Sequence, residues 1–424
     1  MKIFIQAAEI IAPQSPLHRK QKNVLISNGR IAEIGDKKFT ADKVIQAEGM
    51  YLSAGWLDIG TYAGDPGFEH KEDLNSLNQV AAASGFTELA LLPNTNPCIQ
   101  SKNDVSYIIR HNDSRLVQMH AIAAVSKNIK GEELTEMIDL HHAGAVAFSD
   151  GLKPVWHTDI FLKTLQYLQP FNGLLIDHPE DIWLNMFGQM HEGITSTKLG
   201  LKGMPRLAEE IMVKRNLDLL SYAGGKLHLH KLSSAAVFDL LRIARKQGLQ
   251  VSCDVSAYQA LLSDELLTDF NTNYKVNPPL REKHDQEAII KALKDNTIDV
   301  LCSAHMPQDE ESKNLEFDLA DFGIINLQTF ASQLSALSKW VDIGLLIEKV
   351  AYNPRKILNM PEASIAKEAK ANLTLFAAEA SWEYKESNNL SKSKNSPWLG
   401  QTLKGKAVAT FNNGKHWIDK SVIQ

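Results

Sequence analysis

The sequence predicts a (β/α)8 TIM barrel joined to a small β-sandwich that both chain ends build together. Three observations lead there. From about Tyr51 to about Met360, short apolar runs alternate with helical patterns. Eight such runs occur, the number of parallel strands that closes a barrel. Both ends of the chain, by contrast, read as β structure alone.

Near the start, VLISNGRIAEIG sets Asn28-Gly29 between two alternating runs, a strong hairpin signal. The barrel strands come next as LSAGWLDIG, TELALL, VQMHAIAAV, AVAFSD, GLLIDH, KLHLHKL, VSCDVS and DVLCSAH. Between them, Val105, Ile108 and Ile109, or Val237, Leu240, Leu241 and Ala244, fall on one helical face. His141-His142, just before Gly144, suits the C-terminus of a helix. The charge run from Arg281 to His284 opens a helix whose Ile289, Ala292 and Leu293 face the core, and reads as a solvated face. ANLTLFA and KAVATFNNGKHWI return to short strands with a turn at Asn413-Gly414, and KESNNLSKSKNSP reads as a loop. The expected domains are the sandwich (1–52 and 363–424) and the barrel (53–362).

Bulk properties narrow the function. A chain of 424 residues suffices for one large barrel and a companion. An apolar fraction of 44% and a charged fraction of 22% are ordinary for a globular protein. A net charge of −5 and a pI near 6.3 give no reason to expect nucleic acid or an anionic membrane as partner. The N-terminus lacks the basic head and apolar run of a signal peptide, and no segment approaches the ~18 apolar residues of a membrane span. Cys98, Cys253 and Cys302 are odd in number and far apart. A disulfide framework or cysteine zinc site is not expected, and a reducing cytoplasm fits.

In a (β/α)8 barrel the chemistry sits at the C-terminal strand ends. There the sequence places Asp58, Asn94, Asp150, His178, His230, Asp254 and His305. The surrounding strings DPGFEHKED, LPNTNP, GAVAFSD, KVNPPLR, NPRKIL, FGIINLQT and SKSKNSPWLGQTLKG run in one order from about Ser53 to the C-terminus. In that order they resemble the dihydroorotases of the amidohydrolase superfamily, enzymes of pyrimidine biosynthesis that convert dihydroorotate reversibly to carbamoyl aspartate.

The resemblance implies two adjacent metal ions that deprotonate a bridging water and polarise the ring amide. Their ligands are a His-x-His pair on the first strand, an acidic group on the fourth, one His each on the fifth and sixth, and an aspartate on the eighth. This chain departs from that set. Where the family carries Asp-x-His-x-His-x-Arg, it reads Asp58-Ile59-Gly60-Thr61-Tyr62-Ala63-Gly64. Both imidazoles and the substrate-gripping arginine are gone, and the proton-shuttling aspartate is Ala304. His178 and His230 match the fifth- and sixth-strand ligands. Asp150 matches the acid, although FSDGLKP has one acidic residue where many relatives have two, which leaves the match open by one position. Lys153 is a distant candidate for a carbamylated lysine.

The chain is accordingly expected to hold no catalytic residues, and at most one zinc on His178, His230 and Asp150. Asn94, Asn277 and His305 remain as substrate-binding remnants. Asp58 is expected to hydrogen-bond within the barrel. Tyr62 should fill the vacated metal space, its hydroxyl bonded to Asp58, His178, His230 or a water. The function expected is a dihydroorotase-like pseudoenzyme, structural and oligomeric, that supports aspartate carbamoyltransferase. Two alternatives stay open: an active cyclic amidohydrolase with an unusual single metal, and a small-molecule sensor using the old pocket.

Overall fold

A computed structural model describes residues 1–423. The eight apolar runs become eight parallel strands: Trp56–Thr61, Phe86–Leu91, Gln118–Ala123, Ala147–Phe148, Leu175–Asp177, Leu227–Leu229, Val251–Ser256 and Val300–Cys302. Each pairs with its neighbour in sequence order. The first strand meets the eighth where the Tyr62 amide donates to the His305 carbonyl at 3.1 Å. Alternation along the strands sorts the side chains into two cores. Leu89, Leu91, Met119, Ala121, Leu227 and Leu229 pack outward against helix residues such as Val105, Ile108, Val237 and Leu241. Leu57, Ile59, Ala90, Ile122, Ile176 and Val300 pack together inside. Burial at about 25 cal/mol per Å² of apolar surface makes these two layers the main source of stability.

The chain ends form one continuous eight-stranded sheet, not two separate ones. Its central strand, Lys2–Ile11, pairs antiparallel with Gln21–Ser27 and parallel with both Lys43–Gln46 and Tyr51–Ala54. The tail strand Leu373–Glu383 joins through Tyr51–Ala54 and continues to Thr402–Asn412. The sheet folds over a shared core that includes Ile5, Ile10, Val24, Ile45, Leu52, Leu373 and Phe411. Both predicted hairpins turn on two consecutive left-handed residues, Asn28-Gly29 (φ 49° and 72°) and Asn413-Gly414 (φ 51° and 71°). That is the geometry a two-residue turn needs to match strand twist.

A buried ion pair inside the barrel is tied to the chain-end sheet through Asn372. Arg355 donates to Glu88 (2.7 Å) and to the Gly55 carbonyl (2.7 Å), while Glu88 also receives Asn372 (3.1 Å) and contacts His120 (3.0 Å).

Two expectations need correction. Arg281 is not on a solvated face: it is 2% exposed and donates to Ser233 (2.9 Å) and the Met204 carbonyl (3.0 Å) beside Glu209. A guanidinium can be buried once a carboxylate and carbonyls satisfy it. The Ser/Lys/Asn-rich tail loop is a strap as well as a loop. Ser393 donates to the Lys71 carbonyl (2.8 Å), and Asn395 bonds both the Gln308 amide (3.0 Å) and the Met306 carbonyl (3.0 Å). It thereby ties together the loops beyond the first and eighth strands.

Formal charge is unevenly spread. Residues 262–270 and 309–321, on loops beyond the seventh and eighth strands, carry nine carboxylates and one lysine, or −8, against −5 for the whole chain; the remainder is +3. Lys71 and Lys283 reach in to pair with Asp321 and Glu265. Exposed Leu266, Phe270, Leu315 and Leu319 stand among these acids. Among the described residues no helix is long and apolar enough to cross a membrane.

Candidate functional site

The C-terminal strand ends gather the predicted polar residues, and the structure shows what each one does. Asp58 straps the first strand to the eighth: it accepts from the Ser303 amide and hydroxyl (2.6 Å each) and from Thr61 (2.5 Å). Burial pushes its carboxyl up to about 6 against those donors. Asp150 takes the Val125 amide (3.0 Å), the Ser126 amide (2.9 Å) and the Ser126 hydroxyl. Burial raises it to about 6 as well, with Ser126 opposing. Both of its oxygens are therefore committed to a loop, and the structure does not bring it into a ligating group with His178 and His230.

His178 is held at one end of its ring. Nδ1 donates to the His230 carbonyl at 3.3 Å, and Nε2 faces the Glu180 carboxylate at 3.4 Å without closing a hydrogen bond. Burial works to raise Glu180, but His178, Asn185 and Asn277 outweigh it and hold the acid at about 2.

The substrate-binding candidates are occupied too. Asn94 spans the loop after the fourth strand, donating to the Asp150 carbonyl (3.1 Å) and accepting from the Leu152 amide (2.9 Å). Asn277 donates to Glu180 (2.9 Å), and its carbonyl receives buried Lys231 (3.2 Å). His305 accepts the Asn326 amide on Nδ1 (3.0 Å) and turns Nε2 toward Glu72 at 3.8 Å.

Tyr62 does enter the mouth, with its ring 7% exposed. Of the partners expected for its hydroxyl, Asp58, His178 and His230 make no described hydrogen bond to it. Burial, with the charge of Asp321, pushes the phenol up to about 12.

Among the described residues, the one group whose donor atoms lie close enough to share a metal is His228, His230 and Asp254, all within 4.8 Å. The donor types suit zinc, but the atoms that face one another are already hydrogen-bonded, while His230 Nε2 is buried without a partner. Asp254 Oδ2 receives His230 Nδ1 (2.6 Å) and His228 Nε2 (2.9 Å); Oδ1 receives the Lys231 amide (2.6 Å) and the Cys302 thiol (3.4 Å). Burial would raise this carboxyl, yet the two imidazoles hold it well below the usual range. His228 was missed from sequence. The signal was the spacing in HLH, which puts two imidazoles on one face of a strand. Glu180 and Lys231 left no comparable trace.

The two-metal set does not fit here. A side chain at Gly60 would begin 2.4 Å from His230 Cε1 and Nε2, so the His230 imidazole fills the space that a side chain at position 60 would need. The residues around it, among them Tyr62, Lys231, Tyr258, Asn277, Ala304 and His305, leave about 10 Å³. That is the scale of one water, whereas small-molecule sites commonly run ~300–1,000 Å³.

Comparison with known proteins agrees with the architecture. Residues 49–236 match the family model described as "Dihydro-orotase-like". The chain is 37% identical to a dihydroorotase of Syntrophus aciditrophicus, covering 98% of this chain and 99% of the relative. It is 38% identical to one of Acetivibrio thermocellus, covering 99% and 100%. Among solved structures, the L-hydantoinase (dihydropyrimidinase) from Arthrobacter aurescens superposes with a TM-score of 0.86 at 18% identity, covering 99% of this chain and 96% of that one, which speaks to fold alone. With relatives this similar over the full length of both chains, the protein belongs to the dihydroorotase-like family of the amidohydrolase superfamily.

Proposed function

We propose that this chain is a non-catalytic dihydroorotase-like protein of pyrimidine biosynthesis that supports aspartate carbamoyltransferase structurally. The observation that carries the first half is the filled mouth: His230 lies against Gly60 where a first-strand ligand would project, and the remaining space is about 10 Å³. Ring hydrolysis in this family needs a metal-activated water, and lowering the pKa of water from 15.7 to about 7 is what makes hydroxide available near neutrality. Proton delivery would fall to position 304, an alanine, and general acid–base help is typically worth ~10²–10⁴-fold. The losses touch nucleophile, proton and substrate grip, so no single residue restores them together. The partner rests on the family resemblance. An intact body with a closed site is what a structural role requires.

A second reading, an active amidohydrolase with one unusual metal, draws on the full-length similarity to relatives named dihydroorotase and on the His228–His230–Asp254 group. A sensor role draws little from so small a cavity. The deciding assay is dihydroorotate turnover by purified protein with added zinc. We expect none. Turnover that vanishes on His178→Ala or His230→Ala would establish the second reading instead. For the partner, reconstitution with aspartate carbamoyltransferase should raise that enzyme's assembly or activity; full assembly and activity without this chain would remove the structural role.

A further inference from the structure

The misfit between this mouth and a metal pair runs deeper than missing side chains. Gly60 has a left-handed φ of +82°, a conformation that side chains rarely adopt, and a Cβ there would meet the His230 ring at 2.4 Å. That ring cannot simply retreat, because its 2.6 Å bond to Asp254 belongs to a fully buried network that also holds His228 and the Lys231 amide. Gly64 is closed in the same way: its Cβ would sit 2.2 Å from the Phe68 carbonyl oxygen. At Gly151 (φ +66°) the corresponding atom would lie 1.8 Å from the Asn94 amide oxygen. Ala304 packs against the Tyr258, Cys302, Phe317 and Ile324 cluster on one side and borders the small mouth cavity on the other.

Metal ions in such sites cross-link strands. Here Asp58 links the first strand to the eighth, and Asp254 links the sixth to the seventh, through hydrogen bonds alone. We propose that these hydrogen bonds hold the barrel mouth together without a metal, and that the main chain has closed around them. Returning histidines to positions 60 and 62 and an aspartate to 304 therefore does not return a metal pair. The inference rests on the non-catalytic reading, but its test reads metal and folding, so the two can fail separately.

The full-length triple variant Gly60→His/Tyr62→His/Ala304→Asp is incubated with excess zinc, desalted and assayed for metal beside the parent. The expected result is at most one zinc per chain in total, and a melting temperature lower by about 3 °C or more, the effect of overpacking. Two zinc ions per chain in the variant would overturn the proposal, whether or not the parent turns over substrate. Should the triple variant not fold, Gly60→Ala is compared in the parent and in His230→Ala. A smaller drop in melting temperature in the His230→Ala background is expected, because the opposing imidazole is gone. Equal drops in both would show that His230 does not close the site.

Discussion

Replacing Glu88 by glutamine tests how strongly a buried ion pair holds the second barrel strand to the helix Asn353–Ile357. The substitution keeps the shape and removes the charge, leaving the Arg355 guanidinium, 1% exposed, without its counter-ion. Burial alone would raise Glu88, but His120 and Arg355 more than offset it and hold the carboxyl at about 2 instead of 4.5. A shift of that size corresponds to about 3 kcal/mol at 1.36 kcal/mol per unit. Breaking one side of a buried pair independently suggests ~3–5 kcal/mol. Unfolding entropy near 2.1 cal/mol/K per residue then turns about 3 kcal/mol into a drop of roughly 3–4 °C for a single cooperative unit of this length. The direction of the shift sets the pH dependence. A depressed carboxyl stabilises the fold above its unfolded value of 4.5, and the contribution is lost as pH falls through 4.5 toward about 2. Calorimetric melts at pH 7 and pH 3 should therefore show a wide gap between parent and variant at pH 7 and a narrower one at pH 3. An unchanged melting temperature at pH 7, or a gap that widens in acid, would refute the assignment.

The same geometry sets three further outcomes. Asp254→Asn should cost several kcal/mol in urea unfolding, since one carboxylate serves two imidazoles, an amide and a thiol; a loss under ~1 kcal/mol would contradict its role as a cross-link. Tyr62→Phe should change stability by less than ~0.5 kcal/mol, because its hydroxyl makes no described bond to the old ligand residues. Lys313, pushed down to about 7 by burial, should make stability rise with pH between about 7 and 10.5, where the unfolded chain holds the proton and the folded one has released it; Lys313→Met should flatten that slope in urea titrations.

All eight barrel strands and both Asn-Gly turns were legible in sequence because their signals are local: two-residue alternation, a helical face, a pair of residues tolerant of left-handed backbone. The departures at Gly60, Tyr62, Gly64 and Ala304 from the motif that the resemblance implies could be read for the same reason, since they fall within short strings. What escaped was long-range. Arg281 looks like part of a surface run until Glu209, distant in sequence, is placed beside it. Asn94 and Asn277 have the composition of substrate contacts, and only the fold reveals that a neighbouring loop and Glu180 have claimed their amides. Asp150 could not be judged from its string, because its partners Val125 and Ser126 belong to another strand end.

The uneven charge has a consequence for how the molecule meets others in solution. The two acidic loops carry a formal −8, of which Lys71 and Lys283 offset a part, so the end beyond the barrel mouth is the more negative one. Two copies approaching mouth to mouth repel, while a positively charged surface draws that end in first, before any apolar contact at Leu315 or Leu319 can form. Such steering fades once salt shortens the reach of the field to about 10 Å at 0.1 M. The rate at which this chain finds a basic neighbour should therefore fall with ionic strength more steeply than its modest net charge would suggest.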